Sequence, residues 1–97
     1  MEFVIKTVDG GLINLPKLED ISQMVPTHIG ATIAPTDDVL KMTFNGATFY
    51  FSYEDTFYHS AMENGNLTES NAETFMNAFA AQLGDLCGQN FEVIQIA

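Results

Sequence analysis

The cleanest pattern in the chain lies between Val39 and Ser52, where apolar and polar residues alternate on either side of Asn45-Gly46. Asn-Gly is the preferred two-residue type I′ turn, so this stretch predicts a β-hairpin of fixed register. That register sets Phe44 opposite Ala47, Met42 opposite Phe49 and Leu40 opposite Phe51 on one face. Val39, Lys41 and Thr43 face Ser52, Tyr50 and Thr48 on the other. An apolar side backed by a mostly polar one is what a sheet covered on a single face requires. Further strands are expected at Phe3–Val8, Leu12–Leu15 and Phe91–Ile96, while Thr27–Ala34 is ambiguous between an irregular and an edge element.

Helical spacing appears in three places. Leu18, Ile21, Met24 and Val25 follow Pro16, which suits the first position of a helix, and Pro26 ends that run. Ser52 and Asp55 stand in capping-box spacing before Tyr53, Phe57, Tyr58, Ala61 and Met62, which predicts a second helix stopping at Asn64-Gly65. Ser70-Asn71-Ala72-Glu73 opens a third, with Ala72, Phe75, Met76, Phe79 and Leu83 turned inward and an end near Cys87-Gly88. The expected architecture is one compact α+β domain over residues 1–97. It has a mostly antiparallel sheet of three to five strands, with two or three helices packed chiefly on one face.

Composition alters this picture chiefly through charge. Thirteen acids face three bases, Lys6, Lys17 and Lys41, with no arginine, and the net charge is −10. Eight Phe and three Tyr in a chain that is 46% hydrophobic supply a core, so disorder is not expected. Direct binding to nucleic acid is disfavoured, because phosphate contacts come mainly from Lys and Arg; anionic membrane surfaces are disfavoured for the same reason. No apolar run approaches a membrane span. Met1–Lys6 carries no basic segment leading into a long apolar stretch, so no signal peptide is expected. The expected compartment is the cytoplasm.

Catalytic chemistry finds little support. Only His28 and His59 could serve a nucleophile, no Gly-x-Ser-x-Gly elbow occurs, and Cys87 falls in an apolar neighbourhood where a thiol packs as a small hydrophobe. Asp9-Gly10-Gly11 is a turn and not a phosphate cradle. Asp55, His59 and Glu63 would share one face of the second helix, and the plain reading is a solvated face with an Asp–His pair, against a metal site or a small metal-dependent enzyme. The chain is therefore read as a non-enzyme without cofactor or metal.

Glu19-Asp20, Asp37-Asp38 and Glu54-Asp55 are adjacent acidic pairs at helix starts or turns, where the helix dipole and turn preferences account for each alone. What local structure leaves unexplained is the lack of cations between them, since an ordinary surface intersperses both signs. Spaced carboxylates without compensation present a field like that of a nucleic-acid backbone. Tyr50, Tyr53 and Tyr58 lie beside these acids and are expected to anchor a contact. With Glu63, the pairs and tyrosines form the expected partner-binding set, centred on Tyr50–Glu63.

In length, absence of arginine, acidic pairs and compact α+β plan, the chain resembles small phage-encoded anti-CRISPR proteins of the acidic, DNA-mimicking kind. The resemblance is one of character along the whole chain and not of a motif. It implies an inhibitor that occupies the DNA-binding surface of a CRISPR effector complex, as a monomer or dimer. Two other readings remain open: an immunity or antitoxin protein that neutralises a basic nuclease, and an acidic phage or secretion chaperone.

Overall fold

The structure is a computed structural model, and it describes residues 1–9, 15–24, 30–35, 39–54, 56–63, 65 and 67–97. The order of elements is β1 (Glu2–Thr7), α1 (Leu18–Met24), β2 (Thr32–Pro35), β3 (Val39–Phe44), β4 (Ala47–Tyr53), β5 (Phe57–Glu63), α2 (Glu69–Cys87) and β6 (Phe91–Gln95). Six strands form one antiparallel sheet in the order β2-β3-β4-β5-β1-β6. The α+β expectation holds, with one strand beyond the expected range.

The β3–β4 hairpin has the expected register, from Phe44 opposite Ala47 to Val39 opposite Ser52. Its turn places Asn45 at φ 49° and Gly46 at φ 80°, the left-handed pair that type I′ demands. The inner face of the sheet carries Phe3, Ile5, Leu40, Met42, Phe49, Phe51 and Tyr58, all buried. Against it lies α2, which contributes Ala72, Phe75, Met76, Phe79, Ala80 and Leu83. Phe75 stacks on Phe44 at 4.5 Å and leans on Phe49 at 4.8 Å, while Phe79 meets Phe51 edge-on at 4.6 Å. Full burial of each such ring stabilises the fold by about 1.5–3 kcal/mol. From α1, Leu18 and Ile21 join the same core.

Residues 57–63 overturn the expected second helix. They form β5, between β4 and β1, with Tyr58, Ser60 and Met62 inward and Phe57, His59 and Ala61 outward. Both periods place apolar residues on a face here, so the local pattern does not choose between them. The sheet does, because without β5 both β1 and β4 would expose a row of backbone donors and acceptors. Ser52-Tyr53-Glu54 is correspondingly a strand end and hairpin turn instead of a cap, closed by Glu54 N–H donating to Phe57 C=O at 2.9 Å.

Smaller shifts follow similar logic. The cap of α2 is Thr68, whose hydroxyl accepts from Asn71 N–H at 3.1 Å, two residues before the expected Ser70. At the other end Gly88 takes the left-handed conformation, φ 68°, as expected of a helix stop. Pro16 precedes α1 without opening it. Leu15 is buried outside any strand, while the rest of the expected second strand and Thr27–Ile29 fall outside the described residues. Thr32–Pro35 is an edge strand beside β3.

Two expected outcomes test this packing. Gln89 N–H donates to the Gly84 carbonyl at 3.1 Å as the chain folds back past the end of α2. A Cβ on Gly84 would stand 2.5 Å from the Gln89 carbonyl oxygen, so Gly84→Ala is expected to cost about 2 kcal/mol, read as a lower Tm. Ser60 Oγ is buried with no hydrogen-bond partner. Ser60→Ala is accordingly expected to raise stability by about 1 kcal/mol in denaturant titration; a loss of that size would show a hidden partner.

Candidate interaction surface

The sheet has two unlike sides, and the charges divide between them. Its outer face alternates with the core face, so β1 places Glu2, Val4 and Lys6 there, and β5 places Phe57, His59, Ala61 and Glu63. β3 and β4 add Lys41 and Tyr50, which face each other in register. Among the described residues the lysine–carboxylate pair lies on this face, Lys6 Nζ to Glu92 Oε1 at 3.7 Å, as does the hydrogen bond between His59 Nε2 and Glu2 Oε1 at 2.8 Å. The outer face is therefore close to balanced.

The helical side is not. Glu19 and Asp20 open α1, Glu69 opens α2, Glu73 lies one turn on, and Asp85 sits in the last turn of α2. All five are exposed, and among the described residues none forms an ion pair. Lys17, just ahead of α1, bridges none of them. Glu19, Asp20 and Glu69 complement helix dipoles, whereas Asp85 opposes one, because the end of a helix favours cations and α2 has none there. Spacing alone did not mark Asp85; its sign against the dipole was the available signal.

Tertiary contacts gather several of these acids at one end of the molecule. Tyr58 is fully buried on β5 and its hydroxyl donates to the Pro16 carbonyl at 2.5 Å, which ties the sheet to the entry of α1. Tyr53 packs edge-on against it at 5.7 Å and points its hydroxyl at the Leu15 carbonyl, 3.5 Å away. The β4–β5 turn with Glu54 thus lies near the start of α1, with Glu19 and Asp20. A groove of about 310 Å³ lined by Pro16, Asp20, Ile21, Gln23 and Leu86 joins α1 to the end of α2. Tyr53 and Leu86 are both exposed there, giving the acidic end two apolar contact points.

The expected contact set is therefore divided. Glu19, Asp20, Tyr53 and Glu54 share the acidic end, whereas Tyr50 and Glu63 belong to the outer face. Tyr58 is a correction: it is core, not contact, because on a strand its position points inward. Asp37, Asp38 and Asp55 fall outside the described residues. The expected helical face of Asp55, His59 and Glu63 does not exist. On a strand His59 and Glu63 are about 13 Å apart along the chain, and His59 turns to Glu2. No three His, Cys, Asp or Glu side chains converge among the described residues.

Two further grooves gather no reactive groups among the described residues. One of about 580 Å³ between the Asn45 turn and α2 has no ionisable lining residue, and one of about 550 Å³ beside β6 has only Asp85. Cys87 packs half-buried against the core, and burial pushes its thiol up, away from the reactive thiolate. No described helix is long and apolar enough to cross a membrane.

Burial, followed by the nearby Cys87, Tyr53 and Asp20, pushes the Tyr58 phenol far above its ordinary value. Its folded pKa exceeds its unfolded one, so its contribution is complete below about pH 10 and is lost as pH rises beyond that, by about 1.4 kcal/mol per pH unit. Tyr58→Phe is expected to cost about 1 kcal/mol at pH 7 and to flatten that alkaline loss. Equal alkaline slopes in denaturant titrations of the two proteins would refute the assignment.

Protein-family models, curated proteins and solved structures were compared with the chain, and none of the three comparisons returned a match.

Proposed function

We propose that this protein is a non-enzymatic inhibitor that engages a cationic nucleic-acid-binding protein through its acidic end, in place of the nucleic acid. The observation that supports the reading most is the segregation of charge. The Lys6–Glu92 pair sits on the outer sheet face, while Glu19, Asp20, Glu54 and Asp85 meet no described cation. Mutual repulsion on a chain of net charge −10 works against the compact state, and a partner of opposite charge relieves it. A basic groove supplies that, with Tyr53 and Leu86 as apolar anchors among charged contacts. A CRISPR effector complex in a bacterial cytoplasm is the target to test first. A basic nuclease neutralised by an immunity protein meets the same electrostatics and serves as the second target.

The test is competition between this protein and target DNA for a purified effector complex, followed by gel shift at rising ionic strength. Inhibition is expected to weaken steeply with salt. Charge reversal of Glu19, Asp20 and Glu54 to Lys is expected to weaken it about tenfold or more without changing the circular dichroism, since all three are exposed. Inhibition that ignores both salt and the triple reversal would overturn the reading. Inhibition of a basic nuclease but of no effector would move it to the second target.

A further inference from the structure

Among the described residues, three of the five large apolar side chains that remain exposed lie on β6, just past it or beside its start: Val8 at 58%, Ile94 at 39% and Ile96 at 53%. Ile94 lies on β6, Ile96 follows it, and Val8 follows β1, where its N–H donates to Asn90 C=O at 3.0 Å. Among the described residues β6 is the last strand of the sheet, and no described strand pairs with its outer edge.

The register shows what that edge offers. Val8 N–H reaches Asn90 C=O, and Ile96 N–H reaches Glu2 C=O at 2.9 Å, so the even-numbered residues of β6 turn their backbone toward β1. By the alternation of an antiparallel ladder, Phe91, Val93 and Gln95 turn theirs outward, presenting three donors and three acceptors. Natural sheets guard such edges with Lys, Pro, bulges or very short strands. The opposite edge follows that rule, since β2 has four residues and ends at Pro35. β6 has no Lys or Pro among its five residues, Phe-Glu-Val-Ile-Gln, and its one charged side chain, Glu92, is bridged by Lys6.

We infer that β6 pairs antiparallel with β6 of a second copy of this chain, joining the two sheets into one. The strand is complementary to itself. With Val93 on the two-fold axis, Val93 exchanges both backbone bonds with its copy, and Phe91 does so with Gln95 of the second chain. On the outer face Glu92 then lies opposite Ile94, so no like charges meet directly, and the two Ile94 side chains are diagonal neighbours. Glu92 is also bridged by Lys6 at 3.7 Å. That bridge offsets the charge of Glu92 where the two copies approach. On the inner side, Ala80, Ala81 and Gly84 leave a groove of about 550 Å³ beside Phe91, into which the inward side chains of the added strand project.

Sedimentation equilibrium on the intact chain tests this, with two variants. Ile94→Lys places a guard on an exposed position. Val93→Pro removes a donor that faces away from β1, which an edge strand tolerates. The wild type is expected to be a dimer at micromolar concentration, and each variant to bind its copy about tenfold or more weakly while keeping its circular dichroism. Amide exchange at Phe91, Val93 and Gln95 is expected to be slow in the dimer and fast in Ile94→Lys. Added salt is expected to tighten the dimer by screening the two net charges, the opposite of its effect on a basic partner, so the two proposals fail separately. A monomeric wild type, a dimer indifferent to both variants, or a dimer whose three amides stay fast would each overturn the pairing.

Discussion

The contact on which the rest depends is the one between the inner face of the sheet and α2. A single sheet with one apolar face has no stable existence until that face is covered, and α2 covers it with Phe75 and Phe79 set among Phe44, Phe49 and Phe51. Everything outside that layer is arranged around it. α1 is short, only seven residues, and is held mainly by Leu18 and Ile21 in the same core. Tyr58 fastens its approach by donating its hydroxyl to the Pro16 carbonyl, and the burial that this requires pushes the phenol above its ordinary range.

Covering one face also decides where charge can go. The uncovered face must present its polar alternates to water, and there Lys6 meets Glu92 and His59 meets Glu2 across neighbouring strands. On the helical side Glu19, Asp20, Glu69, Glu73 and Asp85 form no ion pair among the described residues. Some follow from helix dipoles, yet Asp85 stands where the dipole disfavours it. Repulsion within that layer is offset by aromatic burial in the core beneath.

The exposed apolar side chains stand in two settings. Tyr53 and Leu86 stand near the carboxylates of α1 and the β4–β5 turn, whereas Ile94 and Ile96 lie on and just past β6, whose one acid, Glu92, is bridged by Lys6.

Much of this was legible in the residue order. The Asn45-Gly46 turn dictated the register of the hairpin, because left-handed conformations at two successive residues leave few alternatives, and the inward positions of α2 follow from its period of apolar residues. The acidity was legible too, as was the scarcity of cations to answer it. Tertiary structure alone decided Phe57–Glu63, whose apolar residues satisfy either period, and it chose a strand since β1 and β4 both needed a neighbour. With that choice Tyr58 went from surface to core, His59 from Asp55 to Glu2, and the expected contact residues separated onto two faces. Which acids stand together is likewise a property of the assembled fold, for Asp20, Glu54 and Leu86 are distant in sequence and meet only where α1, the β4–β5 turn and the end of α2 converge.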